Sequence, residues 1–192
     1  MLKKEIIWRE ILYQAIEKKQ YQFTQKELAQ KFKFSLSTVF NALKIPRANG
    51  SIKVFGRFFK VIDKQKFLSI WATFRNLNKD IIYQTWVDMS IKKIEGELPA
   101  DIIPTAYTAY CLKFKDSSAD YDKVYVYAKN LDQIKKRFPF KKGRLNLIIL
   151  KPDDFLKNYG VFPPLCQIYV DFWNLPEWYA REFLNNLEKN NL

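Results

Sequence analysis

Apolar residues recur every three or four positions in "KKEIIWREILYQAIEKK", where Ile7, Ile11, Leu12, Ala15 and Ile16 share one side of a helical path. The chain is therefore expected to open with an amphipathic helix. The same rhythm continues in "TQKELAQKFKFSLSTVFNALK", residues 24 to 44. Thr24 followed three residues later by Glu27 predicts a capping box, hydroxyl and carboxylate each satisfying a free backbone N–H, with a helix from Gln25 to about Lys33. Ser35 or Ser37 can cap a third helix, and Pro46, which has no N–H to continue the ladder, is expected to end it. The short gap between the second and third helices is the spacing of a helix-turn-helix. Leu28, Ala29, Phe32, Phe34, Val39 and Leu43 supply its inner side.

With about 100° per residue and Ser37 at zero, Leu36, Val39, Phe40 and Leu43 fall between about 200° and 300°, while Ser37, Thr38, Asn41 and Lys44 fall between about -20° and 100°. One face is expected to be apolar and buried, the other polar and free to pair with base edges or phosphates. Beyond Pro46, Asn49-Gly50 signals a turn, and "SIKVFGRFFKVI" reads as two short strands around Phe55-Gly56-Arg57. Three helices and a hairpin make a winged helix-turn-helix, with Arg47, Lys53, Arg57 and Lys60 on or beside the wing, where cations meet a phosphate backbone. The candidate DNA-binding residues are Thr24, Gln25, Ser35, Ser37, Thr38, Asn41, Lys44, Arg47, Lys53, Arg57 and Lys60.

After Asp63, "KQKFLSIWATFRNL" spaces Phe67, Ile70, Trp71, Phe74 and Leu77 as a further helix. "DIIYQTWVD", "KVYVYAK", "RLNLIIL" and "CQIYVDFW" carry the β-branched and aromatic enrichment of strands. "PTAYTAYCLKF", "NLDQIKKRF" with Asn130 as cap, and "DDFLKNYG" ending on Gly160 read as helices. "PEWYAREFLNNLEK" is a final helix opened by Pro176. The expected fold class is α+β: a winged helix-turn-helix over residues 1–66, then a mixed α/β domain over 67–192, with no Gly/Ser-rich linker between them.

Charge sharpens this division. Of a formal net charge of +13, residues 1–66 hold +10, from 15 Lys and Arg against 5 Asp and Glu, and the rest holds +3. A basic module joined to a near-neutral one suits an anionic polymer as partner. Histidine is absent, so no Ser-His-Asp triad or His-ligated metal site can be built, and Cys111 and Cys166 lack zinc-site spacing and read as buried thiols. No apolar run reaches about 18 residues and charges interrupt "MLKKEIIWREIL", so neither a membrane span nor a signal peptide is indicated, and a cytoplasmic location is expected.

Acidic motifs for catalysis are incomplete. A metal-dependent nuclease wants an Asp followed later by E-x-K, but "IEGELP" has no lysine in place and "LKPDDF" no partner glutamate. A nucleotidyltransferase wants a Gly-Ser turn followed by D-x-D, and the chain is read as lacking D-x-D. Asp153 and Asp154 read as capping residues, and Asp171, within an expected apolar strand, is the carboxylate without an evident task. The basic, aromatic segment "KKRFPFKKGR" (135–144) reads first as a helix end and turn between core aromatics, and second as a contact for nucleic acid or an acidic partner. An enzyme is not expected, and no cofactor is called for.

The order of the winged helix-turn-helix, "FKVIDKQKFLSIWATFRNL", "DYDKVYVYA" and "CQIYVDFWNLPEWYAREFL" resembles the AbiEi-type antitoxins of type IV toxin-antitoxin systems, along nearly the whole chain. The resemblance implies an N-terminal domain that represses its own operon by binding double-stranded DNA at its operator. It also implies a C-terminal domain that counteracts a nucleotidyltransferase-like toxin. Such a regulator can bind DNA as a homodimer. Two other readings stand beside it: a winged-helix repressor with a ligand-sensing or dimerising C-terminal domain and no toxin, and a DNA-processing enzyme targeted by its winged domain.

Overall fold

In a computed structural model, which describes residues 1–192 with Asn191 given by its backbone alone, the chain is α+β and divides into two compact units. The first comprises residues 1–75, 164–170 and 192; the second comprises 76–163 and 171–191. The first unit thus runs past the boundary expected at Lys66, because Phe67, Leu68 and Trp71 are buried and Phe67 and Phe74 meet the Trp8 ring edge-on.

In the first unit, α1 (Lys3–Glu17) buries Ile7, Ile11, Leu12, Ala15 and Ile16 as its spacing predicts. It also buries Trp8 and three charged residues, Glu5, Arg9 and Glu10. Buried charge needs partners: Glu10 takes Lys31 at 2.5 Å, Glu5 accepts the Leu2 N–H at 3.0 Å, and Arg9 donates to Gln167 at 3.4 Å. A two-residue strand β1 (Gln22–Phe23) leads into α2 (Gln25–Phe32), whose capping box forms as expected, with Thr24 and Glu27 bonded reciprocally at 3.1 Å. Lys33 stops α2 in the left-handed conformation (φ 54°), and three residues separate it from α3 (Leu36–Ala48). Ser35 is the cap of α3, accepting the Thr38 N–H at 3.2 Å.

Pro46 does not end α3; it lies inside the helix, buried. A proline there cannot donate to the carbonyl four residues back, that of Ala42, and leaves it unpaired. The Trp8 indole N–H takes that same carbonyl at 2.7 Å. The helix therefore tolerates the proline because α1 supplies the missing donor. Asn49 and Gly50 (φ 81°) then turn the chain, with the Ser51 N–H bonded to Asn49 Oδ1 at 3.0 Å. A hairpin follows, β2 (Ile52–Phe55) and β3 (Phe58–Val61), its two-residue turn opened by Gly56 at φ 54°. The three strands are ordered β1-β3-β2, all antiparallel. Helix α4 (Lys64–Phe74), capped by Asp63, closes the unit's continuous stretch.

The second unit is built on a four-stranded sheet ordered β4 (Ile81–Thr85), β7 (Leu147–Leu150), β6 (Val124–Tyr127), β5 (Ile103–Pro104). β6 and β7 pair in parallel and the two outer pairs are antiparallel. Every residue of β6 and β7 is buried, which is the mark of strands covered on both faces. On one face Val124, Val126, Leu147 and Ile149 pack with Ile94 of α5 (Ile91–Glu97) and Ile134 of α7 (Asp132–Arg137). On the other, Tyr125 meets Tyr107 of α6 (Ala106–Phe114), whose ring also meets Phe172, Tyr179 and Phe183.

"CQIYVDFW" is not a strand but most of α8 (Leu165–Trp173). Its residues from Cys166 to Phe172 are all buried, and an apolar run enclosed on every side carries no period that separates helix from strand. Pro164, whose carbonyl accepts the Gln167 and Ile168 N–H groups, is the start signal. The last helix, α9 (Ala180–Asn191), begins four residues after Pro176, and "DDFLKNYG" holds only a 3₁₀ turn, Leu156–Tyr159, ended by Gly160 at φ 99°.

Candidate nucleic-acid interface

The polar residues foreseen on α3 do reach solvent. Ser37, Asn41, Lys44 and Arg47 are exposed, while Thr38 is half-buried. The hydroxyls of Ser35, Ser37 and Thr38 cluster at the helix start, with Ser35 Oγ 2.9 Å from each of the other two. Thr24 and Gln25 are half-buried at the start of α2, and Thr24 is committed to its cap. Asn41 spends neither its amide donor nor its acceptor within the described residues, which leaves both for an external edge.

The hairpin presents a second set. Lys53 and Lys60 lie directly opposite each other across β2 and β3, and Gln22 of β1 flanks Lys60 on the other side. Like charges in facing positions destabilise a sheet. Lys53 packs its ammonium 5.5 Å from the Phe55 ring centroid, and Lys60 lies 6.0 Å from Phe55 and 5.8 Å from Phe58. Arg57 occupies the exposed turn. Among the described residues no carboxylate stands within ion-pair distance of Lys44, Arg47, Lys53, Arg57 or Lys60. Five cations on α3 and its hairpin are thus left without internal neutralisation, a surface able to hold a polyanion.

One expectation about α3 is corrected. Leu36 and Phe40, assigned to the buried face, are 56% and 47% exposed. The buried arc consists of Val39, Ala42, Leu43 and Pro46. The arc extends further because Pro46 lies within the helix and is buried, which moves its centre. Counting Pro46 and Ala42 swings that centre by about 60° and turns Leu36 and Phe40 outward.

In comparisons with protein families, with curated proteins and with solved structures, nothing matches this chain. What it can do is therefore read from its own side chains.

In the second unit the unassigned carboxylates have internal tasks. Asp171, fully buried on α8, accepts hydrogen bonds from Thr105 Oγ1 and Tyr127 OH, both at 2.7 Å. Asp153 accepts the Phe155 N–H at 3.0 Å, whereas Asp154 pairs with Lys129 at 2.7 Å and does not cap. Asp120-Tyr121-Asp122 is a D-x-D, which corrects the expectation that the chain lacks one, but Asp122 is occupied by Arg144 at 2.5 Å and by the Tyr179 hydroxyl. Glu177 accepts from Tyr107 and Tyr125, each at 3.1 Å, and pairs with Lys123 at 2.5 Å. Burial, reinforced by that carboxylate, holds both phenols well above their usual pKa. In 135–144, Phe138 is core, Phe140 is exposed, and Lys141 lies 4.3 Å from the Trp86 ring centroid. A cleft of about 850 Å³ opens between α5 and α6, floored by Glu95, which Thr108 and Tyr121 contact at 2.8 and 2.9 Å. Cys111, expected to be buried, is half-buried at its wall. Among the described residues no helix is long and apolar enough to cross a membrane.

Proposed function

We propose that this chain is a sequence-specific, double-stranded DNA-binding transcriptional regulator whose first unit acts as a winged helix-turn-helix. The observation that carries this reading is the set of five unpaired cations on α3 and its hairpin, with Lys53 and Lys60 facing each other across the strands. An anion between them relieves a repulsion that no carboxylate among the described residues neutralises. Ser37 and Asn41 on α3 address base edges, and Lys44, Arg47, Lys53, Arg57 and Lys60 address phosphates. The test is a salt titration of the full chain on duplex DNA. If all five cations meet phosphates, log affinity falls against log salt with a slope of about -4.5. A slope near zero, or no binding, sinks the reading.

The finer assignment, an autoregulating antitoxin paired with a nucleotidyltransferase-like toxin, is supported by the resemblance of the ordered segments to AbiEi-type antitoxins. Its test is co-expression with the nucleotidyltransferase-like protein encoded beside it: growth is rescued, and rescue requires residues 67–192. The absence of such a neighbour, or rescue without those residues, removes this assignment. The second reading, a repressor that senses a small ligand, draws on the cleft between α5 and α6.

A further inference from the structure

The solvent face of α3 is not uniformly polar. Leu36 and Phe40 stand one turn apart in its first half, both about half exposed, and the Lys44 ammonium, one turn further on, lies 5.5 Å from the Phe40 ring centroid. Neither residue is needed to fill the interior, since Val39, Ala42, Leu43 and Pro46 already occupy the inner arc. Beside this apolar stripe runs a polar one, Ser37 and Asn41, and both stripes lead towards Lys44 and Arg47. Two large apolar side chains kept in water beside five cations without a carboxylate partner call for an occupant that is anionic and offers isolated apolar groups.

Resting on the DNA-binding reading above, we propose that Leu36 and Phe40 read the C5-methyl groups of thymines in the major groove, while Ser37 and Asn41 read polar base edges. Three observations converge on this occupant. The residues lie in the first turns of α3, the part that meets base edges when a helix of this kind enters the groove. The cations that extend the stripe, and those of the hairpin, complement phosphates on either side. Of the groups that base pairs display in the major groove, the thymine methyl is the apolar one. A second copy of this basic chain would match the apolar stripe but would leave the cations unneutralised. The sites preferred by this chain should therefore carry thymine at one or two fixed positions, set by the i, i+4 spacing of Leu36 and Phe40.

The experiment begins with duplexes that the full chain selects from a random-sequence pool. Each thymine is then replaced singly by deoxyuridine, which removes the methyl and leaves pairing intact. Loss of one contacted methyl should weaken binding about fourfold, and of two about fifteenfold. Phe40→Ala or Leu36→Ala should bind more weakly to the thymine duplex and lose the discrimination at one position each. Phe40→Met should keep part of it. Both residues are exposed, so folding should survive, and circular dichroism checks that it does. If the wild-type chain binds its selected duplex but no deoxyuridine changes affinity, the inference is overturned while DNA binding stands. If Phe40→Ala loses affinity equally on both duplexes, the inference is likewise overturned. Should Leu36→Ala and Phe40→Ala instead abolish a dimer seen by sedimentation without DNA, the stripe belongs to a second copy. If no duplex is selected at all, the DNA-binding reading falls and takes this one with it.

Discussion

Asn41 and Lys53 meet the same proposed partner through different chemistry. An amide donates and accepts together, matching the edge of an adenine, so Asn41→Ala should cost about 1 to 3 kcal/mol on the preferred duplex and relax selection at one base position. Lys53→Ala or Arg57→Ala removes charge that carries no sequence information; each should weaken preferred and scrambled duplex alike and lower the salt slope by about one unit. Salt titration on both duplexes separates the two kinds of loss, and equal loss for Asn41→Ala would place Asn41 outside the base contacts. The buried phenols of the second unit give a prediction in pH. Tyr107 and Tyr125 keep their protons in the folded chain far above 10.0, their ordinary value, chiefly because they are buried and secondly because Glu177 faces them. Below about pH 10 both states hold these protons and stability is unaffected; above it the unfolded chain releases them first, so stability falls as pH rises. Urea midpoints should be level from about pH 7 to 9 and drop beyond about 10, less steeply in Tyr125→Phe. A midpoint independent of alkaline pH would contradict the network.

At the level of elements, what the sequence displayed depended on how far apart the cooperating residues lie. The Thr24–Glu27 box, the Asn49-Gly50 turn and the hairpin are decided within a few residues, and all three are found where the local pattern puts them. Pro46 in α3 escaped because its compensation, the Trp8 indole on the Ala42 carbonyl, comes from 34 residues away. The same distance hid the outward turn of Leu36 and Phe40, and with it part of the candidate interface. α8 escaped because its burial is complete, leaving no amphipathic period to read. The Trp8–Pro46 arrangement makes a testable coupling. Trp8→Phe should strand the Ala42 carbonyl and cost about 1 to 3 kcal/mol beyond any change in packing. Pro46→Ala restores an N–H to that carbonyl, so the same Trp8 substitution should cost less in that background. A double-mutant cycle by denaturant unfolding measures the difference, and strictly additive costs would dissociate the two residues. Lys33, held at φ 54° to stop α2, offers a gain instead: Lys33→Gly relieves left-handed strain and should raise stability by up to about 1 kcal/mol.

At the scale of the whole molecule, α8 contributes residues 165–170 to the first unit and 171–173 to the second. A fragment ending at Arg75 therefore lacks the Gln167 that Arg9 bonds, the Cys166 thiol on the Arg9 carbonyl, and the buried Ile168 and Val170. It should unfold at lower urea than the same fragment carrying residues 164–170 on a flexible tether; identical midpoints would show that this segment adds nothing. The discontinuity also sets a timetable. Synthesis runs from the N-terminus at about 5 to 20 residues per second, and domains ordinarily fold as they emerge. Here the hairpin and α3 leave the ribosome early, yet the last piece of their unit is made only after residues 76–163 have followed. For several seconds the nascent chain carries α1 with Arg9 awaiting Gln167. A polypeptide read from one end thus completes its basic unit only after residues 76–163 have been made, and the surface proposed for DNA reaches full stability well after its own residues have emerged.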